Sequence, residues 1–571
     1  MNAFFRLPPQ AITGRGTGPG QAHRTEPTSG LTRRRLLGLA VAMGLTGCAA
    51  GGSDDPTSST GSATDSGNPP ARLPWGPTEE QLAQASALVA EWPDDKLAGQ
   101  VLVLTYDGTE PEQAADAVSA VHAAGVILMK PNIVDTEKIS QTAIAVQQAL
   151  ADDDRDYPAV ITVDQEGGIV ARLSGVVPDT PSFMSAGAAV AGDSEAGAAA
   201  VRSAAVATGN ALRSLGFTWV FAPSADVTIG PQDPTIGSRS AGDDPRIVSE
   251  AVTAAVTGYQ DSSIVCSAKH FPGHGSVTSD SHTTLPVQSA TLETLVERDL
   301  PPFVAASAAG VPVLMMSHIA VDAFEPGVPC TLSPAAYAIA RKECDFSGVI
   351  CTDAMNMDAI AKRYGAGDAA AQAVIAGADL VLMPADPTAA HAAILAALAD
   401  GSLSRARLEE AAARVIALQR WQAEGASTGP IQTELAALSE ASQGLSAAAV
   451  TLISGECGTL VSDAVRVSGG TEADRDAFTT AARAAGLATD SGPQVVLVTP
   501  SAPRDGDIVV AVDTPYVLAR CSAEKAAFAL YGRTPGAFAA LLDVLSGKAA
   551  APGRLPVEVD GVSAVSCPQD R

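Results

Sequence analysis

Positively charged residues are scarce in this sequence. Its 571 residues include 36 Lys and Arg against 63 Asp and Glu, which gives a net charge of −27. Because no basic patch offsets the repulsion of phosphates, the composition disfavours nucleic acid as a partner. Charged residues make up 17% of the chain and hydrophobic residues 46%, so its length suggests two domains with sizeable cores.

Two further motif classes are missing. No pair of the eight cysteines has zinc-ligand spacing, and no Gly-x-Gly-x-x-Gly follows an early strand. Cys266 and Cys351 lie in apolar runs and are predicted to be small core residues. Cys330 and Cys344, and two of the three C-terminal cysteines, could be paired in an oxidising compartment, and the sequence leaves the pairing open.

The one basic cluster, residues 33–35, precedes an apolar run at residues 36–45. This run is far shorter than the roughly 20 residues that a membrane-spanning helix needs, which favours a cleaved signal over an anchor. The adjacent arginines resemble a twin-arginine export signal, and the Leu-Thr-Gly-Cys that ends at Cys48 resembles a bacterial lipobox. The resemblance implies that residues 1–47 are removed and that Cys48 carries lipid, which would anchor the protein to the outside of the cell membrane.

Eight apolar runs after residue 73 are predicted strands that alternate with alanine-rich helical stretches. The runs are continuous, as a sheet buried on both faces requires, and they predict a (β/α)8 TIM-type barrel in residues 74–425. A doubly wound open sheet is the alternative. The predicted strands are 101–105, 125–129, 159–163, 219–222, 264–268, 313–316, 348–352 and 380–383, and the predicted helices include 113–123, 136–151, 194–215, 247–259, 292–309, 366–376 and 389–399.

The barrel is predicted to stand between a tether and a second domain. Residues 48–73 are rich in Gly, Ser, Thr, Asp and Pro and bury too little apolar surface to fold, so they are predicted to be a disordered tether. A hinge at residues 426–430 leads into residues 431–571, which are predicted to form a smaller α/β sandwich domain with a structural or accessory role.

Titratable residues are concentrated after the fifth predicted strand. Residues 269–286 hold one Lys, one Asp and three of the seven His, and such strand-end loops commonly carry binding residues. Asp164 follows the third strand, Asp226 the fourth and His318 the sixth. Asp353 ends the seventh strand and is either a helix N-cap or a nucleophile aimed into the barrel mouth. The sequence therefore predicts one site at the C-terminal end of the barrel.

Five motifs in this order resemble those of bacterial two-domain glycoside hydrolase family 3 β-N-acetylglucosaminidases. The resemblance covers the barrel, and two C-terminal pieces resemble the second domain that some members carry. The motifs are Asp164-Gln165-Glu166-Gly167-Gly168, Ile236-Gly237-Ser238-Arg239-Ser240, Lys269-His270-Phe271-Pro272-Gly273-His274-Gly275, Asp280-Ser281-His282 and Thr352-Asp353-Ala354-Met355.

The resemblance implies a role for each matched residue. It makes Asp353 the nucleophile that forms a covalent glycosyl-enzyme, and His282 the general acid/base with Asp280 as its dyad partner. The residues implied to hold the hydroxyls of the terminal sugar are Asp164, Arg172, Arg239, Lys269 and His270. Ile169 departs from the family pattern, which often has Arg there, so a change at the rim of the subsite is expected.

The chemistry agrees with these roles. A carboxylate beneath the ring stabilises an oxocarbenium-like state, and an imidazole titrates near neutral pH, so it can protonate the leaving oxygen. The implied function is release of terminal GlcNAc from peptidoglycan fragments with retention of configuration, with no metal or cofactor. A β-glucosidase or xylosidase of the same family, and a sugar-binding lipoprotein, are the alternatives.

Three other residues have structural interpretations beside the functional one. His274 is as readily a loop-packing residue as a ligand, His318 could simply be hydrogen-bonded in the mouth, and Glu166 is interpreted as structural.

Overall fold

The computed structural model describes residues 71–562, and the first part of this range is a barrel of parallel strands. Each strand coincides with one of the eight apolar runs, which confirms the predicted (β/α)8 barrel. The predicted export signal in residues 1–47, Cys48 and residues 49–70 of the tether lie outside the described residues. The strands are β1 (Leu102–Leu104), β2 (Gly125–Ile127), β3 (Val160–Thr162), β4 (Trp219–Val220), β5 (Val265–Phe271), β6 (Val313–Met316), β7 (Val349–Thr352) and β8 (Val381–Leu382).

Hydrogen bonds close these strands into a ring. They pair in parallel in two four-stranded sheets with the orders β8-β1-β2-β3 and β7-β6-β5-β4. The Thr218 N–H donates to Ile161 O at 2.9 Å and joins β3 to β4. The Thr352 N–H donates to Leu380 O at 3.0 Å and joins β7 to β8. The ring excludes the doubly wound open sheet.

The barrel helices cover the outside of this ring, and most begin at a side-chain cap. Asp135, Asp193 and Asp386 each accept a hydrogen bond from an N–H in the first turn of the helix that follows. The helices are α1 (Glu79–Ala90), α2 (Asp94–Gln100), α3 (Pro111–Ala120), α4 (Thr136–Asp152), α5 (Met184–Gly192), α6 (Ser194–Ser214), α7 (Pro245–Asp261), α8 (Leu292–Arg298), α9 (Pro301–Ala308), α10 (Pro334–Glu343), α11 (Asp358–Ala361), α12 (Asp368–Ala376), α13 (Pro387–Asp400) and α14 (Arg405–Ala423).

One predicted helix is two helices in the structure. The stretch 292–309 divides into α8 and α9, because Pro301 has no N–H to continue a helix and suits only its first turn. Asp299 occupies the break, where its buried carboxylate accepts a hydrogen bond from Arg298 Nη2 at 2.8 Å. The break lies beside the candidate site loop, since a Cβ on Gly273 would come within 2.9 Å of Asp299 Cβ.

The C-terminal part is a five-stranded sheet with helices, which confirms a second α/β domain. Its strands are β9 (Thr451–Gly455), β10 (Arg466–Gly469), β11 (Gln494–Val498), β12 (Gly506–Ala511) and β13 (Ala523–Ala529). Their order in the sheet is β9-β13-β12-β11-β10, and only the β9–β13 pair within it is antiparallel. Helix α15 (Ile431–Ala449) precedes it, packs on α5 and α6 of the barrel, and is not among the predicted helices. The other helices of this domain are α16 (Glu472–Ala484) and α17 (Pro535–Leu545).

The second sheet is buried on both faces because its apolar residues alternate between two cores. Val495 and Leu497 face the core that contains Phe478 of α16. Val496 and Val498 face a second core that includes Met184 of the barrel helix α5. The second domain is therefore packed directly against the barrel.

The cysteines give a mixed outcome. Cys266 and Cys351 are fully buried in strands, as predicted. Cys330 and Cys344 are free and buried, so pairing between them is wrong, because each packs separately into the barrel core. Cys457 is disulfide-bonded. Among residues 71–562, no helix combines the length and hydropathy that crossing a bilayer requires.

Candidate active site

The carboxyl ends of the barrel strands bring the predicted polar residues to one mouth. Asp164 follows β3, Asp226 lies beyond β4 and His318 follows β6. Lys269 and His270 belong to β5 itself, whose pairing with β6 shifts register between Lys269 and Phe271. Because all eight strands run in parallel, these ends share one face of the barrel, where the sites of such folds lie.

Asp353 directly follows β7, and hydrogen bonds at the end of the strand fix its position. Its N–H donates to Met316 O at 2.9 Å, and its Oδ1 accepts from the Ala354 N–H at 2.7 Å. The next helix, α11, has Met357 as its N-cap, so Asp353 is not a cap residue. Burial alone would raise the pKa of Asp353, but the neighbouring His270 and His318 and the Ala354 N–H lower it to about 2. The carboxylate is therefore ionised at neutral pH.

Five charged side chains form one ion-pair network at the mouth of the barrel. Lys269 Nζ lies 2.8 Å from Asp164 Oδ1 and 2.6 Å from Glu166 Oε1. Arg239 donates two hydrogen bonds to the carboxylate of Glu166, both at 2.9 Å. Arg172 Nη2 is 4.0 Å from Asp164 Oδ2. The predicted sugar-binding residues therefore lie together, at the level of the strand ends.

Glu166 lies at the centre of this network. Its side chain is 2% exposed, and the carboxylate lies between Arg239 and Lys269. Burial alone would raise the pKa of Glu166, but the charges of Arg239 and Lys269 outweigh burial and hold this pKa well below its usual value. Glu166 thus orients two cations that the sequence predicts to bind sugar, which agrees with its interpretation as a structural residue.

Asp226 fixes the orientation of His270. It is fully buried, and its Oδ2 lies 2.8 Å from His270 Nδ1. The same carboxylate accepts from the His274 N–H at 2.6 Å. Because an ionised carboxylate only accepts, His270 carries its proton on Nδ1, and its Nε2 accepts from Arg239 Nη2 at 3.2 Å. The sequence placed Asp226 at a strand end but gave it no role, since its partners lie more than 40 residues away.

The predicted dyad is formed in the loop after β5. Asp280 Oδ1 accepts from the backbone N–H of His282 at 2.9 Å and lies 2.8 Å from His282 Nδ1. Burial would raise the pKa of Asp280, but its bonds from the His282 N–H and ring lower it. The His282 ring is 57% exposed, so its Nε2 side is accessible to a ligand.

The dyad loop belongs to the same mouth as Asp353. Ser281, between the two dyad residues, accepts a backbone hydrogen bond from Ala359 N–H of α11 at 3.4 Å. The buried His318 ring lies within electrostatic range of both Asp353 and His282. Burial is the main reason that the pKa of His318 is lowered. His318 itself bonds to Thr331 Oγ1 at 2.7 Å and to Ala354 O at 2.9 Å, so it has the structural role that the sequence left open.

The second domain contacts the rim of the site. A cavity of about 300 Å³ is lined by Ile169 and Ser238 of the barrel and by Asp513 and Arg533 of the second domain. Ser238 is adjacent to Arg239, so this cavity neighbours the ion-pair network. Ile169, where the family pattern often has Arg, is 63% exposed and places an apolar side chain at the rim.

Comparison with known proteins identifies relatives of this chain. The model of the Glycosyl hydrolase family 3 N terminal domain matches residues 81–418. The chain is 32% identical over 292 residues to Beta-hexosaminidase A of Pseudoalteromonas piscicida, and the match covers 48% of each chain. Against Beta-hexosaminidase LpqI of Mycobacterium tuberculosis, identity is 32% over 358 residues, covering 61% of this chain and 87% of that protein.

Solved structures give a similar result. The fold matches that of a glycoside hydrolase family 3 beta-N-acetylglucosaminidase from Paenibacillus sp. str. FPU-7 with a TM-score of 0.72 and 29% identity. The match covers 82% of this chain and 99% of that chain, so it includes both the barrel and the second domain.

Proposed function

Because the chain belongs to glycosyl hydrolase family 3, we propose that it is a retaining exo-β-N-acetylglucosaminidase that releases terminal GlcNAc. One observation carries the proposal: an ionised carboxylate, Asp353, lies at the same barrel mouth as the ion-pair network and the Asp280–His282 dyad. The β-hexosaminidase relatives and the β-N-acetylglucosaminidase neighbour support an amino sugar as the substrate.

The proposed reaction has two steps. Asp353 attacks the anomeric carbon, the bond to the leaving oxygen breaks, and His282 gives its proton to that oxygen. His282 then takes a proton from water, which displaces the Asp353 carboxylate and releases the sugar with its original configuration. Asp280 accepts a hydrogen bond from the ring at 2.8 Å and so stabilises the imidazolium that each cycle regenerates.

The terminal sugar would be held by groups whose orientation is already fixed. Lys269 and Arg239 are fixed through Glu166, and His270 is fixed through Asp226. Arg172 is the least constrained of the set, because its nearest carboxylate oxygen is 4.0 Å away and its side chain is 33% exposed. The network thus offers both donors and carboxylate acceptors to sugar hydroxyls.

The substrate is proposed to be cell-wall peptidoglycan fragments, and the protein is proposed to act outside the membrane. The support is the motif that ends at Cys48, which resembles a lipobox after a twin-arginine signal. A lipid on Cys48 would keep the barrel close to the cell wall, where β-linked GlcNAc is abundant in peptidoglycan.

The test is hydrolysis of 4-nitrophenyl β-N-acetylglucosaminide beside the corresponding glucoside and xyloside. Wild type is expected to prefer the amino sugar, and Asp353→Asn is expected to lose several orders of magnitude in kcat/KM. Asp358→Asn is the matched control, since Asp358 lies five residues further on, where it pairs with Lys362. Proton NMR at early times should show the β-anomer of GlcNAc.

Three outcomes would contradict the proposal. Preference for the glucoside or xyloside would remove the amino-sugar specificity. Activity of Asp353→Asn close to that of wild type would remove its nucleophilic role. Binding of GlcNAc without any turnover would favour a sugar-binding protein.

A further inference from the structure

The dyad is a compact local unit whose own geometry does not fix its place over the barrel. Asp280 accepts from both the backbone and the ring of His282, two residues away. The side chains of Asp280 and His282 are 36% and 57% exposed. These two hydrogen bonds set the geometry of Asp280 and His282 relative to each other. They do not attach the pair to the rest of the enzyme.

Ser281, between the two dyad residues, is the buried member of the triplet. It is 1% exposed, and a hydrogen bond of 2.8 Å joins its Oγ to His274 Nε2. Its carbonyl accepts from Ala359 N–H at 3.4 Å, which is long for such a bond. The side-chain bond to His274 is therefore the stronger attachment of the triplet to the barrel.

His274 is fixed on the barrel side of this bond. It is 2% exposed, and its N–H donates to Asp226, the carboxylate that also holds His270. The next residue, Gly275, accepts from Ile229 N–H at 3.0 Å, and a Cβ there would come within 2.4 Å of Val227 O. The start of the loop is thus closely packed against the segment after β4.

The His274 ring has few other polar contacts. Its Nδ1 is buried and has no hydrogen-bond partner within residues 71–562. A histidine that only filled space would leave both of its buried ring nitrogens without a hydrogen-bond partner, and burying each of them would cost free energy. Here the Nε2 atom is directed at the hydroxyl that lies between the two dyad residues.

We propose that the His274–Ser281 hydrogen bond holds the Asp280–His282 dyad in place over Asp353, so that His274 and Ser281 are positioning residues for proton transfer. This inference rests on the proposed function, in which His282 protonates the leaving group. Asp226 connects the two halves of the site, because it holds both the sugar-binding His270 and the start of the dyad loop.

The test uses aryl β-N-acetylglucosaminides with leaving groups of different acidity. A dinitrophenolate leaves without a proton, whereas a phenolate needs the general acid, which contributes about 10² to 10⁴-fold. For Ser281→Ala, kcat/KM is expected to fall about tenfold or more for the phenyl glycoside and by less than about twofold for the dinitrophenyl glycoside. Ser281→Thr, which restores the hydroxyl, should recover most of the phenyl rate.

Two further variants make the result specific. Ser279→Ala, in the same loop, is the matched control and should resemble wild type. His274→Leu removes the other partner and should show the same dependence on the leaving group, even if Ser281→Ala does not fold.

The other possible outcomes contradict either the positioning role or the proposed function. Equal losses on both substrates, or no loss on either, for Ser281→Ala and His274→Leu overturn the positioning role. The variant His282→Asn separates this result from the function itself, because it should show the largest dependence on the leaving group. If His282→Asn shows no such dependence, the proposed function fails and the inference fails with it.

Discussion

Replacing Asp226 by Asn should move the imidazole proton of His270 from Nδ1 to Nε2. In the structure, the Asp226 carboxylate accepts from His270 Nδ1 at 2.8 Å and from Ser224 Oγ at 3.0 Å. Burial would raise the pKa of Asp226, but His270 and the N–H of His274 lower it, so the group is an anion that only accepts. The amide of Asn would instead place an NH₂ group near His270 Nδ1, which requires the imidazole to move its proton to Nε2.

In this second tautomer, the N–H at His270 Nε2 would face another hydrogen-bond donor. His270 Nε2 lies 3.2 Å from Arg239 Nη2, which can only donate, so two N–H groups would then face each other. Losing a charge-assisted hydrogen bond costs about 1.5–3 kcal/mol, and leaving a buried donor without an acceptor costs about 1–3 kcal/mol. A combined loss of about 3–4 kcal/mol corresponds to a decrease of roughly 10² to 10³-fold in kcat/KM.

The assay is kcat/KM with the chromogenic GlcNAc glycoside, together with ¹⁵N NMR of labelled histidine to report the tautomer of His270. Ser224→Ala is the control, since it removes a neutral hydrogen bond to the same Asp226 oxygen without changing the tautomer. That change is expected to cost less than about tenfold. A folded Asp226→Asn enzyme within about threefold of wild type, or one with the proton still on Nδ1, would refute the reasoning.

Two more predictions concern stability and location. Burial, and next the neighbouring His270, lower the pKa of His274 from about 6.5 to about 4, so this histidine takes up its proton at a lower pH in the folded state than in the unfolded state. The free energy of unfolding should therefore fall by up to about 3 kcal/mol between pH 6.5 and pH 4, and urea titrations of His274→Leu should lack this part of the decrease. Cys48→Ser should abolish incorporation of labelled palmitate and release the protein from membranes; labelling that persists would contradict lipidation of Cys48.

The barrel strands could be predicted because burial on both faces leaves a simple signal. The run at Val313–Met316 has the predicted bounds, and all four residues are buried. Strand β5 extends three residues further than predicted, since Lys269 and His270 are polar and look like loop residues in the sequence. Their polar atoms are satisfied by Asp164, Glu166 and Asp226, which come from other strand ends.

The second domain was harder to predict because local preference and tertiary structure disagree. Strand β13, with the sequence Ala-Glu-Lys-Ala-Ala-Phe-Ala, consists mainly of residues that favour a helix. It is a strand because β9 and β12 pair with it on both sides, and no local pattern reports those partners. By contrast, β11 is continuously apolar after its first residue, Gln494, as a buried strand requires.

The sequence identified the candidate site residues by type and position, but not the side-chain pairs that hold them in place. Arg239 is 73 residues from Glu166, and His270 is 44 residues from Asp226, so each pair exists only after the barrel has closed. The side chain of Glu166 is 2% exposed and Asp226 is fully buried, but no local sequence pattern distinguishes either residue as an orienting one. A search for carboxylates at every strand end would find both Glu166 and Asp226. Such a search does not distinguish residues that orient the site from residues that bind substrate.

The buried charges themselves argue that this mouth binds a polar ligand. A buried ion pair is expensive to desolvate, and apolar residues of similar volume are often equally stabilising or better. The Lys269–Glu166–Arg239 arrangement is therefore poorly explained by stability alone. Its physical effect is to fix cations in place before a ligand arrives, while Arg172 remains 4.0 Å from its carboxylate and its buried Nε has no partner among residues 71–562. An acceptor such as a sugar hydroxyl would complete that set, which is why the network and the dyad are best understood as parts of one site.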